Sequence, residues 1–156
     1  ISGPNAIAGE WGHNPLPWRD DHDNQTLCYC GQRGCLETLL SGTGIRIQAL
    51  TETGIDQSAE AWAAAAETGN IQALEVLNRH HRRLAKALAA VINIMDPHVI
   101  VLGGGVSNLH SIYSAVPEMW GEWVFSDTVI TPLLKSQYGD SSGVRGAAWL
   151  GRKAAK

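Results

Sequence analysis

The chain has no uninterrupted apolar run of 18 residues, so no segment reads as a membrane-spanning helix. It has no excess of positive charge: 12 Lys and Arg against 15 Asp and Glu leave a net charge of -3, which excludes the basic stripe of a nucleic-acid surface. Internal repeats and low-complexity segments are absent. The sequence begins at ISGPN, with neither an initiator methionine nor an apolar secretory signal. What is present is a chain of 156 residues, 44% hydrophobic and 17% charged, which is globular in composition and long enough to bury a core.

Cysteine is scarce, and its placement matters more than its number. Cys28, Cys30 and Cys35 fall within CYCGQRGC, and His13 lies upstream in GEWGHNPLPW. Three thiolates and one imidazole are the ligand set of a closed tetrahedral zinc site, structural because four protein ligands leave no open position. Gly31 and Gly34 supply the backbone freedom that lets Cys28 and Cys30 converge. A Cys28–Cys30 cystine would be a strained span and would leave an odd cysteine; buried free thiols are the other alternative. Thiols held by a metal suit a reducing cytoplasm.

Around this segment the pattern is α/β. Residues 1–18 read as a hairpin end and a short strand that delivers Glu10 and His13, with Trp11 and Trp18 as packing residues. RDDHDNQT, 19–26, reads as a polar loop with His22 solvated. Leu36 to Leu40 starts a helix that Gly42 and Gly44 interrupt, and Glu37 sits in its first turn, where a carboxylate is favoured. Ser58 caps an alanine-rich helix, and Asn70 caps a long one ending at Asp96-Pro97. Leu74, Leu77, His81, Leu84, Leu88, Val91 and Met95 form its apolar stripe, and Arg79, His80, Arg82 and Arg83 read as a solvated basic face.

The apolar run Val99–Leu102 predicts a strand buried on both faces, followed by Gly103, Gly104 and Gly105 and a helix start at Ser107 and Asn108. Three glycines there fit either a tight structural turn or a close approach of backbone amides to a nucleotide. A helix over 109–123 with an insult at Pro117 follows, then an edge strand over 129–135 containing Pro132. A final helix, Gly143 to Ala154, starts at a cap from Asp140 or Ser142 and carries Arg152 and Lys153 in its last turn.

The motif Glu10-Trp11-Gly12-His13, with the CxCGxxGCxE run from Cys28 to Glu37, resembles the ROK family of sugar kinases and sugar-responsive repressors. The longer wording, GEWGHNPLPW, INIMDPHVIVLGGGVSN and YGDSSGVRGAAWL, looks most like the bacterial fructokinase branch, and N-acetylglucosamine kinases share much of it. The resemblance implies a ribonuclease-H-like second lobe of the actin/hexokinase superfamily with a zinc-binding insertion. It implies structural zinc on His13, Cys28, Cys30 and Cys35, sugar contacts from Glu10, His13 and Glu37, and the adenosine part of ATP, with Mg²⁺, near Gly103, Gly104 and Gly105. The expected activity is ATP-dependent phosphorylation of a hexose, fructose first, with N-acetylglucosamine or another hexose, or a sugar-binding repressor, as alternatives.

Two-lobed kinases of this family carry a phosphate loop, a catalytic Asn-Asp pair and a GTGxG hairpin, none of which stands in these 156 residues. The chain is therefore expected to be a C-terminal lobe, 9–41 its sugar and zinc segment and 70–156 its nucleotide side. No catalytic base is expected in it, and homodimerisation or self-association is expected of it.

Overall fold

Short polar side chains set the helix starts. The computed structural model describes residues 3–21, 23 and 26–154, with side chains as far as 151. His22 and the side chains of Arg152 and Lys153 lie outside that description. The chain divides into two compact units, Ile1–Ala87 and Leu88–Lys156.

In the first unit the helices are α1 (Leu36–Leu40), α2 (Gly42–Thr53), α3 (Ala59–Glu67) and the larger part of α4 (Ile71–Met95). Ser58 Oγ accepts from the Ala61 N–H at 3.2 Å, and Asn70 Oδ1 accepts from the Ala73 N–H at 3.0 Å, as their positions predict. The break after α1 falls at Ser41 rather than at the glycines. Ser41 is extended (φ -70°, ψ 162°), and its Oγ accepts from the Gly44 N–H at 2.9 Å. Gly42 and Gly44 are helical. Gly44 is needed for another reason: a Cβ there would lie 2.8 Å from the Thr38 carbonyl oxygen, so α2 rests directly on the α1 backbone. Leu36, Leu39, Ile45, Trp62, Leu77 and Leu84 fill the core between these helices.

Residues 3–35 are irregular. The strand expected near 6–8 is not formed; among the described residues this stretch has only isolated bridges, Pro15 to Cys35 and Leu27 to Arg33. The basic face of α4 is solvated only in part: Arg82 is exposed and Arg79 half-buried. Arg83 and Lys86 are 4% and 2% exposed and reach back to the polar loop, which is therefore no mere spacer. Arg83 Nε donates to Asp23 Oδ1 at 2.9 Å, and Lys86 Nζ donates to Asp20 Oδ2 at 2.8 Å and to Asp23 Oδ2 at 3.0 Å. Arg79 and Arg83 both pair with Glu52. His80 is buried, its Nε2 3.2 Å from the Leu40 carbonyl oxygen, and burial holds its pKa near about 3. Burial likewise lowers His81 to about 4, so both imidazoles are neutral.

In the second unit β1 (Ile100–Leu102) pairs in parallel with β2 (Leu133–Lys135), in the register Ile100 to Leu133, Val101 to Leu134 and Leu102 to Lys135. A parallel pair needs a long crossover, supplied by the 3-10 turn Gly105–Asn108 and α5 (Ile112–Trp120). Leu109, Ile112, Val116 and Trp120 are buried at helical spacing against Leu133. Pro117 is accommodated inside α5, and the helix is shorter than the 109–123 expected. Both strands are also shorter than expected. β1 is not buried on both faces: Val101 is 55% exposed and its register partner Leu134 50%, because the described sheet has two strands and one covered face. The chain closes with α6 (Ser142–Ala154).

Burial pushes the Asp23 carboxyl up, but the Asp20 N–H, Arg83 and Lys86 outweigh it and leave it below the ordinary carboxylate range. The folded value lies below the unfolded one, so this stabilisation is complete above about pH 4 and is lost as pH falls further. Asp23→Asn is expected to lower the unfolding free energy at pH 7 by about 3–5 kcal/mol and to flatten the acid limb, read by denaturant titration across pH. Gly44→Ala is expected to cost about 1–3 kcal/mol in the same measurement, since the backbone oxygen it meets cannot rotate away.

Candidate metal centre

Backbone hydrogen bonds fold the turn around His13 onto the start of α1. The Leu36 N–H donates to the Asn14 carbonyl at 2.9 Å, and the Glu37 N–H donates to the Gly12 carbonyl at 2.8 Å. The cysteine loop closes on itself, with the Cys28 N–H donating to the Gln32 carbonyl at 2.8 Å and the Gly31 N–H to the Cys28 carbonyl at 3.0 Å. Gly31 and Gly34 both take positive φ, 88° and 72°, as the turn requires.

These constraints bring His13, Cys28, Cys30 and Cys35 together, with one ligand atom from each lying within 4.8 Å of all the others. Cys28 Sγ is 3.5 Å from His13 Nδ1, and Cys30 Sγ is 3.6 Å from Cys35 Sγ. Around a tetrahedral zinc, bond lengths of roughly 2.0–2.3 Å set ligand-to-ligand edges of roughly 3.5–3.8 Å. The donor set therefore fits such an ion. It does not fit a disulfide, whose sulfurs would lie about 2.05 Å apart. The thiols are not equivalent. The Gln32 backbone N–H draws Cys30 down to about 7, whereas burial pushes Cys35 up to about 12.

Glu10 and Glu37 converge beside this cluster. A Cβ on Gly12 would sit 3.4 Å from Glu37 Oε2 and 3.5 Å from Glu10 Oε1, so an oxygen of each carboxylate lies beside the Gly12 backbone, and both residues are exposed. His13 shares the turn of Glu10 and Gly12. Its Nε2, expected to face a substrate, is 2.8 Å from Tyr29 Oη. Tyr29 was not singled out by the sequence; the available signal is an aromatic residue placed between two ligand cysteines. Trp18 is 47% exposed rather than packed, and Trp11 is half-buried.

The glycine turn belongs to the second unit. Gly103, Gly104 and Gly105 are exposed, and a Cβ on Gly104 or Gly105 would meet nothing within 4 Å. Gly104 takes φ 78°, which only glycine adopts readily. Gly103 lies against Ser142, at the edge of an open groove of about 850 Å³ lined by Tyr138, Ser142, Arg145, Gly146, Trp149 and Leu150. Arg145 stacks over the Tyr138 ring, 4.4 Å from its centroid. Sequence reasoning left this groove unnoticed, since its residues are spread along a helix read only for its caps.

Zinc is expected to co-purify at one ion per chain and to survive mild chelation, whereas Cys30→Ala is expected to lose it and to loosen α1. Metal analysis after dialysis and amide exchange at Leu36–Leu40 read the two effects.

The ROK family model matches residues 1–154. An N-acetyl-D-glucosamine kinase of Vibrio parahaemolyticus is 38% identical over 155 residues, covering 96% of this chain and 51% of that protein. The ROK hexokinase of Thermus thermophilus superposes with a TM-score of 0.78 at 26% identity, covering 99% of this chain and 51% of that one. A ROK family transcriptional regulator, a homolog of the E. coli MLC protein, superposes with a TM-score of 0.67 at 29% identity, covering 86% of this chain and 36% of that one. The chain thus spans about half the length of the curated relatives it matches. With its α/β fold shared along nearly the whole of its length, this chain belongs to the ROK family.

Proposed function

We propose that this chain forms the C-terminal lobe of an ATP-dependent hexose kinase and supplies the wall on which the sugar is recognised. The observation that carries this reading is the convergence of Glu10 and Glu37 beside Gly12, on the same turn as the metal-facing His13. A hexose presents adjacent hydroxyls in fixed geometry, and two carboxylates side by side at Gly12 can accept from neighbouring hydroxyls. Each such charge-assisted bond is worth roughly 1.5–3 kcal/mol. Zinc bound by His13, Cys28, Cys30 and Cys35 would supply rigidity rather than Lewis acidity.

The nucleotide side is assigned to Gly103, Gly104 and Gly105, whose exposed amides leave room for close approach, with the adjoining groove along α6 beside them. The base that takes the proton of the attacking hydroxyl, and most phosphate and Mg²⁺ contacts, are assigned to the half of the relatives that these residues do not match. For the sugar, N-acetylglucosamine replaces fructose. The fructose expectation has no support among the relatives, and the curated ones carry the name N-acetyl-D-glucosamine kinase at 35–38% identity. A second reading, a sugar-sensing repressor, is favoured by the likeness to the ROK transcriptional regulator.

In a coupled ADP-release assay on the complete protein, N-acetylglucosamine is expected to give the highest kcat/KM among N-acetylglucosamine, glucose, mannose and fructose. Glu37→Gln is expected to weaken sugar affinity about 10- to 100-fold with zinc content unchanged. Sugar binding without turnover, together with sugar-dependent DNA binding, would replace the kinase with the repressor.

A further inference from the structure

One contact at the site serves neither metal binding nor the carboxylate pair. Tyr29 stands between two ligand cysteines, with Oη 2.8 Å from His13 Nε2 and its ring edge-on to the imidazole, centroids 4.9 Å apart at 89°. His13 turns Nδ1 toward the sulfurs, so with a metal bound there the ring proton sits on Nε2, which donates to Tyr29 Oη. That N–H is also the donor a sugar hydroxyl on this wall would use. One N–H points in one direction, so the phenol and a sugar hydroxyl compete for it.

The surroundings favour exchange. Tyr29 is 85% exposed, so its side chain can swing outward without opening a cavity. Its backbone cannot follow: the Gly31 N–H to Cys28 carbonyl bond closes the turn, and ligand cysteines flank it on both sides. The phenol offers His13 Nε2 a hydroxyl oxygen, the same chemical group as the ligand it would give way to.

We propose that Tyr29 is a positioning residue that stands in for a sugar hydroxyl on His13 Nε2 while the site is empty and is displaced when a hexose binds. The proposal rests on the sugar-wall reading above. In the empty state the phenol fixes the imidazole tautomer and ring angle for the metal. Binding exchanges one hydroxyl acceptor for another, so the ring does not reorient when sugar arrives. It also lowers sugar affinity by the strength of the contact that must be broken.

The test uses the zinc-loaded complete protein, wild type, Tyr29→Phe and Glu37→Gln, titrated calorimetrically with N-acetylglucosamine and followed by nitrogen-15 spectra of the histidine rings. Tyr29→Phe keeps the ring and removes the competitor, so its sugar affinity is expected to rise about 2- to 10-fold at unchanged zinc content. Without sugar, the Nε2 proton of His13 is expected to exchange slowly in the wild type and fast in Tyr29→Phe; saturating sugar should make the two alike. An affinity that falls or stays the same in Tyr29→Phe, while Glu37→Gln still loses binding, overturns the stand-in role alone. Absence of sugar binding in the wild type and in both variants overturns the sugar-wall reading itself, and the stand-in with it.

Discussion

Three sulfurs gathered with an imidazole nitrogen within 4.8 Å repel one another once the thiols ionise, and two of the thiols are buried away from water that would screen them. A divalent cation at the centre would turn that repulsion into attraction, at roughly 10 kcal/mol or more for a structural zinc. The other features of the site depend on this. A metal on Nδ1 would fix the His13 ring, Glu37 stands in the first turn of α1 just after Cys35, and the Gly12 and Asn14 carbonyls accept from the Glu37 and Leu36 N–H groups.

The metal cluster is not the only clamp on this irregular stretch. Asp20 and Asp23 tie the loop to Arg83 and Lys86 on α4, and Thr26 accepts from the buried Gln48 of α2 at 3.0 Å. A loop without strands or helices would have no cooperative reason to keep one shape. Here it is fixed at one end by ligand geometry and along its length by charges that cannot be solvated elsewhere. Removing one partner of such a pair strands the other in a low-dielectric interior, which is why these contacts specify position more than they add to stability.

How much was legible follows from how local each signal is. The three clustered cysteines and the Ser58 and Asn70 caps announce themselves within a few residues; the structure forms both caps and gathers the cysteines with His13. Glu10 and Glu37 were legible as candidates through motif wording, and their convergence on Gly12 is geometry no linear pattern displays. Arg83 was misread because its partner Asp23 lies 60 residues away in a loop that reads as pure solvent-facing polarity. The break at Ser41 was misassigned to glycines because composition says where a helix can stop, whereas a capping side chain decides where it does. Val101 reads as a central-strand residue, and the two-stranded sheet leaves it exposed.

The adjacent imidazoles of His80 and His81 have a consequence for the unit they help to fill. As acidity rises past about pH 6.5, the disordered chain binds protons on both rings, while the native helix refuses them down to about 4 and about 3. Every proton taken up by the disordered form draws molecules away from the native one, so these two rings disfavour the native helix on mild acidification, before the carboxylates titrate. Neither ring belongs to the His13 cluster, so this sensitivity to acid is separate from the metal centre.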